Sequence, residues 1–352
     1  MGYFELGHDK DGFENQTPRY KRIDDLNRES FLMVEGTELQ VLQSIHSVGG
    51  RRDALTEKHA KDFDDDVVRK AKGIGRRILT GNISTTNGNG PYYMNIEARK
   101  EDAKANLYSF MEQHGIDPAR IRFLKPNLDF SIPADAEPGY QVPLVPVNVD
   151  EEELFVNDRD VLQPKKAGDF MYTYDPEVVL AAPPADCPLA IIEAQTPKGK
   201  VTILLHLPWQ GVANGYVDQA KVLMDDLEVD WESVRVQITA GGHAETFDFQ
   251  NFTKYDPRTQ FPGSEGHLFV DVEEVKVQTK DGEVDGYNFR IDLPAESYEQ
   301  IEEKWPVTPY QIFANTSDST SPTSGHSSHS RAFKGYGVDG NNSRDLVAAV
   351  RW

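Results

Sequence analysis

The sequence predicts a mixed α/β fold in one main domain, and three observations carry that expectation. Residues 201–207 (VTILLHL) form a continuous apolar run of the fully buried strand type. Residues 211–227 follow at once with Val212, Tyr216, Val217, Ala220, Leu223 and Met224 at helical intervals. Further strand and helix patterns alternate on both sides, without an internal repeat.

Taken in order, residues 1–77 are polar and charge-dense and read as an N-terminal extension or cap. Within them, residues 38–47 suit a strand or short helix covering the core, with His46 as a packed histidine. Residues 53–72 suit a surface helix, on a thin stripe of Ala54, Ala60, Phe63 and Val67. Asp64, Asp65 and Asp66 then fall on a solvated face, because consecutive helical residues point in different directions. Residues 101–114 repeat the helical spacing through Ala105, Leu107, Tyr108 and Met111, and Gly115 supplies the stop. Residues 178–182 and 189–194 read as strands that meet at Pro183-Pro184. Residues 234–239 and 267–279 add strands, and Lys280-Asp281-Gly282 is a hairpin turn leading into a strand over 287–293. Residues 315–330 are rich in Ser and Thr and read as a mobile surface loop, with His326 and His329 incidental to it.

Composition excludes several function classes. With 37 basic and 58 acidic residues, the chain has net charge −21 and repels phosphate backbones and anionic membranes. Neither nucleic acid nor membrane is expected as a partner. A hydrophobic content of 38% supports a sizeable core rather than a disordered chain. The single cysteine rules out an internal disulfide and suits a reducing compartment. No apolar leader and no run of about 18 apolar residues is present, so a cytoplasmic location is expected.

That cysteine, Cys187, stands in Ala185-Asp186-Cys187-Pro188 just before an apolar run. His206 ends the next apolar run, in His206-Leu207-Pro208-Trp209-Gln210-Gly211, at a strand-to-helix junction where rigid elements fix a side chain's geometry. An imidazole beside a thiol lowers its pKa or shares a metal with it, so Cys187 and His206 form a candidate pair. A buried cysteine packing as a small hydrophobe is the competing reading.

These words, in this order, resemble the YfiH family, also called laccase-domain or multicopper polyphenol oxidoreductase proteins and now regarded as purine nucleoside phosphorylases. The resemblance covers Ile78 to Trp352. Ile83 to Gly88 and Tyr93-Met94-Asn95-Ile96 are similar to the family's "TTR-x-GG" and "SLNL" segments, and residues 103–115 to its next helix, with Asn106 at the family's asparagine. Asp169 corresponds to the acid of "DA-x-VT", Ala240-Gly241-Gly242 to "GP-x-I", and Phe247-Asp248-Phe249 to "YEV". Asn315-Thr316 and Ser328 to Arg331 correspond to "CT" and "SYRR".

The resemblance implies a layered sheet-and-helix fold shared with the toxin deamidase CNF1, over residues 78–352. It also implies zinc held by Cys187, His206 and a second histidine. The stretch that carries the second histidine in the family is Phe123 to Asp129 here, where Asn127 or Leu128 takes its place, so the third ligand is unknown. Gln210 and Asn87 stand where the family has arginines, and Asn315 where it has a second cysteine. His243 is a possible substitute imidazole. By resemblance, Asn95, Gln210 and Arg331 are substrate contacts; a guanidinium suits a phosphate, and a salt bridge is the equal alternative for Arg331.

The implied reaction is phosphate attack on a purine nucleoside such as adenosine or inosine, giving base and ribose 1-phosphate, with adenosine deamination as a possible companion. Two alternatives stay open. Cys187 as nucleophile and His206 as base, oriented by Asp186 or another acid, would make a metal-free hydrolase or deamidase. Loss of ligands would leave a binding or scaffold protein.

Overall fold

A computed structural model describes residues 20–23, 29–34, 39–44, 104, 107–108, 110–112, 114–127, 141–244, 247–253, 269–279, 282–315, 319 and 346–351. Their backbone forms mixed sheets with few helices, the mixed α/β class the sequence predicts.

An eight-stranded sheet runs in the order β1 (Tyr20–Ile23), β2 (Glu29–Val34), β3 (Leu39–Ser44), β17 (Val347–Arg351), β9 (Val179–Ala182), β4 (Ile121–Phe123), β7 (Leu162–Pro164), β6 (Leu154–Val156). A six-stranded sheet runs β16 (Ile312–Ala314), β12 (Asp230–Ile238), β10 (Leu189–Thr196), β11 (Gly199–His206), β8 (Phe170–Thr173), β5 (Pro146–Asn148). Three antiparallel strands, β13 (Asp248–Thr253), β15 (Gly282–Ile291) and β14 (Phe269–Thr279), make a third sheet.

Strand periodicity explains the layering. In β9, Leu180 and Ala182 share one buried cluster with Val41, Val347, Ile191, Leu204 and Met171, which joins the two large sheets. Val179 and Ala181 face the other way, into a cluster with Leu107, Phe110 and Met111 from the helical residues near 104–112. Both faces of β9 are therefore covered, and its sequence VLAA has no polar residue. The outer face of the six-stranded sheet carries Ala190, Ile192, Ile203 and Leu205. It packs under three helices: α1 (Trp209–Ala213), α2 (Tyr216–Asp226) and α3 (Leu293–Lys304). Burying each such aliphatic side chain contributes about 1.5–3 kcal/mol.

The strands expected on either side of Pro183-Pro184 are β9 and β10, and the stretch between them carries the chain from the eight-stranded sheet to the six-stranded one. Two expectations need correction. The single helix over 211–227 is two. Gly215 takes φ 78°, which ends α1 in the left-handed region and starts α2 in a new direction. A Cβ there would also lie 2.6 Å from Gln141 Nε2. Residues 287–293 likewise divide, because Asp292 caps α3 by accepting from the Ala295 N–H at 3.0 Å.

Residues 20–44 supply three strands to the eight-stranded sheet, and β3 pairs along β17 from Val347↔Gln43 to Arg351↔Leu39. Leu39, Val41 and Leu42 are almost wholly buried. The stretches 53–72, 64–66 and His46 lie outside the described residues.

Candidate active site

The site forms where the six-stranded sheet ends. β8 begins just after Asp169 and β11 finishes at His206, and the His206 N–H donates to the Asp169 carbonyl at 2.8 Å. Ladder neighbours on adjacent antiparallel strands project their side chains to the same face. The pair uses this: His206 Nδ1 lies 2.8 Å from Asp169 Oδ1. Tyr216, the first residue of α2, donates its hydroxyl to Asp169 Oδ2 at 3.2 Å. A carboxylate this deeply buried is tolerable only when both oxygens are engaged.

Cys187 enters from the loop before β10. Leu189 pairs with His206 in the β10–β11 ladder, and the Leu207 N–H donates to the Pro188 carbonyl at 3.1 Å, so the cysteine is tethered beside the imidazole. Cys187 sits close enough to act electrostatically on the imidazole. With Nδ1 committed to Asp169, Nε2 is the nitrogen available to the thiol. Cys187 is partly exposed, at the rim of an otherwise buried centre.

Burial by itself disfavours the imidazolium. The hydrogen bonds and charges of Asp169 and Cys187 outweigh it and raise His206 to about 10. His206 is thus held protonated at neutral pH. Burial and the Asp169 carboxylate together push the Tyr216 phenol upward, so it stays a donor.

Asp186 does not orient His206. Its carbonyl accepts from the Gly242 N–H at 2.9 Å, and its Oδ1 accepts from the Ser319 hydroxyl at 3.3 Å. Orientation comes from Asp169. His243 pairs with Asp292, Nδ1 to Oδ2 at 3.3 Å. Among the described residues no three His, Cys, Asp or Glu side chains are grouped to hold one metal ion. Cys187 and His206 are two donors where a catalytic zinc takes three protein ligands, so the described residues do not fit that metal. Gln210 is the second residue of α1, partly exposed, in the turn after His206. Asn95 and Arg331 lie outside the described residues, as do His326 and His329.

No family model matches the chain, and no curated protein matches it. Solved structures do. A hypothetical protein YfiH from Bacillus licheniformis is 12% identical with a TM-score of 0.57, over 94% of this chain and 99% of that one. YlmD from Geobacillus stearothermophilus is 14% identical with a TM-score of 0.56, over 95% and 98%. A Neisseria meningitidis protein described under DUF152 is 14% identical with a TM-score of 0.53, over 95% and 99%. The chain has the YfiH-type fold.

On this YfiH-type scaffold, Cys187, His206 and Asp169 converge from a loop and two strand ends. Sequence reasoning singled out Cys187 and His206 as a pair and named Asp169 only as a match to the family's acid. It missed Tyr216, whose place in the apolar stripe of α2 marks it as core and hides the direction of its hydroxyl. No described helix is long and apolar enough to cross a membrane.

Proposed function

We propose that Cys187, His206 and Asp169 are the catalytic centre of a thiol-dependent enzyme that cleaves a carbon–nitrogen bond, a hydrolase or deamidase acting on an amide. The observation that carries this reading is the His206–Asp169 hydrogen bond, with Cys187 held beside the same imidazole by the pairing of β10 with β11. The three roles are those of a nucleophile, an acid–base group and an orienting carboxylate. The thiolate sulfur attacks the carbonyl carbon, and His206 passes its Nε2 proton to the departing amine as the C–N bond breaks. His206, now neutral, takes a proton from water, whose oxygen attacks the thioester and frees the acid and the thiolate. Asp169 holds the ring orientation and the positive charge throughout.

The second reading is phosphorolysis of a purine nucleoside. What favours it is the likeness in fold across almost the whole chain together with the charged state of His206. An imidazolium can protonate a purine as it leaves the anomeric carbon and phosphate attacks. Gln210, Asn95 and Arg331 would be contacts for the nucleoside and phosphate. No step of either reading is routed through zinc.

Both are tested by one assay. Wild type and Cys187→Ala are incubated with glutamine-containing peptides, and with adenosine or inosine plus phosphate, and products are separated. Ammonia released by wild type alone supports the hydrolase. Base and ribose 1-phosphate lost in Cys187→Ala support the phosphorylase. Turnover undiminished in Cys187→Ala sinks both.

A further inference from the structure

We infer that Gln43, on β3 of the N-terminal segment, is a positioning residue for the Cys187 loop, so that this strand completes the active site. The inference rests on the reading of Cys187 as the reacting group. Gln43 is almost wholly buried, and its Oε1 accepts from two groups: the Ala240 N–H at 3.2 Å and Asn315 Nδ2 at 3.4 Å. Both lie on segments that grip the loop. After Ala240, the Gly242 N–H donates to the Asp186 carbonyl at 2.9 Å, and the Gly241 carbonyl accepts from the Ser319 N–H at 2.8 Å. Ser319 then donates its hydroxyl to Asp186 Oδ1 at 3.3 Å, and Asn315 N–H donates to the Ile238 carbonyl at 2.8 Å. Gly241 packs so tightly that a Cβ would lie 3.0 Å from Pro188 Cδ and 3.2 Å from the Asp186 carbonyl.

Cys187 is therefore held from two sides. His206 and Leu207 fix one side of its loop, and a network of Gln43, Ala240, Asn315, Ser319 and Asp186 fixes the other. Asp186, Asn315 and Ser319 are all buried, so the network is shielded from water and its geometry is stiff. Removing this acceptor takes a partner from two buried groups at once, and the loop they grip shifts in response. A displacement well below 1 Å at a reacting atom is enough to slow chemistry roughly tenfold.

The test uses iodoacetamide on the full chain, since Cys187 is its one cysteine and alkylation reads that thiol alone. The rate and its pH profile are compared for wild type, Gln43→Met, Gln43→Glu, Ser319→Ala and His206→Ala, each checked for folding by circular dichroism. Gln43→Met keeps shape and loses the acceptor; Gln43→Glu keeps an acceptor oxygen. Alkylation slowed roughly tenfold in Gln43→Met, with an altered pH profile and most of the rate restored in Gln43→Glu, supports the positioning role. A wild-type rate and profile in folded Gln43→Met overturns it. If Gln43→Met does not fold, Ser319→Ala decides in the same terms. His206→Ala separates the two levels: a wild-type rate there fails the reading of Cys187 and His206 as a reactive pair, whatever Gln43 does.

Discussion

Asp169 and His206 are ladder neighbours whose side chains meet at 2.8 Å, so one antiparallel pairing sets both the strand register and the acid–base pair. A slip of one residue in the β8–β11 register would turn both side chains to opposite faces. The site is thereby tied to the packing of the sheet itself. Leu204 and Met171, two residues back along the same faces, are wholly buried in the layer between the large sheets.

Asp169→Asn removes the charge that holds His206 protonated and in one orientation. Turnover is expected to fall by roughly 10²–10⁴-fold with little change in binding. Steady-state kinetics on whichever substrate the Cys187→Ala assay shows to be turned over check this; a change confined to KM would contradict it.

Tyr216→Phe keeps the ring in the core and deletes one donor to Asp169. A loss of about 1–2 kcal/mol is expected, since a charged acceptor loses a partner. Denaturant unfolding measures it, and a variant at least as stable as wild type would show that the hydroxyl contributes nothing.

Gly241→Ala places a Cβ 2.9 Å from Pro294 Cγ and 3.0 Å from Pro188 Cδ, both parts of rigid rings. Overpacking of about 1–3 kcal/mol is expected, together with slower Cys187 alkylation because the strain falls on its loop. Unchanged stability and unchanged alkylation would refute the close fit.

Stability should fall with acid partly through Asp292. Burial raises its carboxyl, but the hydrogen bond and charge of His243 and the backbone N–H groups of Ala295 and Ala244 lower it overall. A depressed folded value contributes stability above the unfolded value of about 3.9, lost as pH falls through the folded one. His243→Gln should therefore lose less stability than wild type between about pH 5 and pH 3. Parallel pH–stability curves for the two proteins would contradict the assignment.

Much of this arrangement was legible in the sequence, for physical reasons. The buried runs around 189–194 and 201–207 could only be interior strands, and the helix signal after His206 placed that residue at a strand end. Cys187 and His206 stood out through the family-like words around them, since spacing alone suits a cysteine packed as a small hydrophobe equally well. Less legible was anything set by long-range pairing. Gln43 reaches Ala240 and Asn315 across a large separation in sequence, and a polar residue in a charge-dense segment gives no hint of an interior acceptor. The break at Gly215 was hidden because apolar spacing continues through it, and only backbone conformation records the turn. Asp186 is adjacent to Cys187 in sequence, yet its carboxylate turns to Ser319; adjacency along the chain says little about direction.

The central claim is that Cys187 is a nucleophile activated by His206. Its most direct test is the reaction of wild type with p-nitrophenyl acetate, followed by p-nitrophenol release and intact mass. A rapid burst of about one p-nitrophenol per chain is expected, with an acetyl group carried on Cys187 and no burst in His206→Ala. Slow release with no adduct on Cys187, at a rate shared by Cys187→Ala, would contradict it.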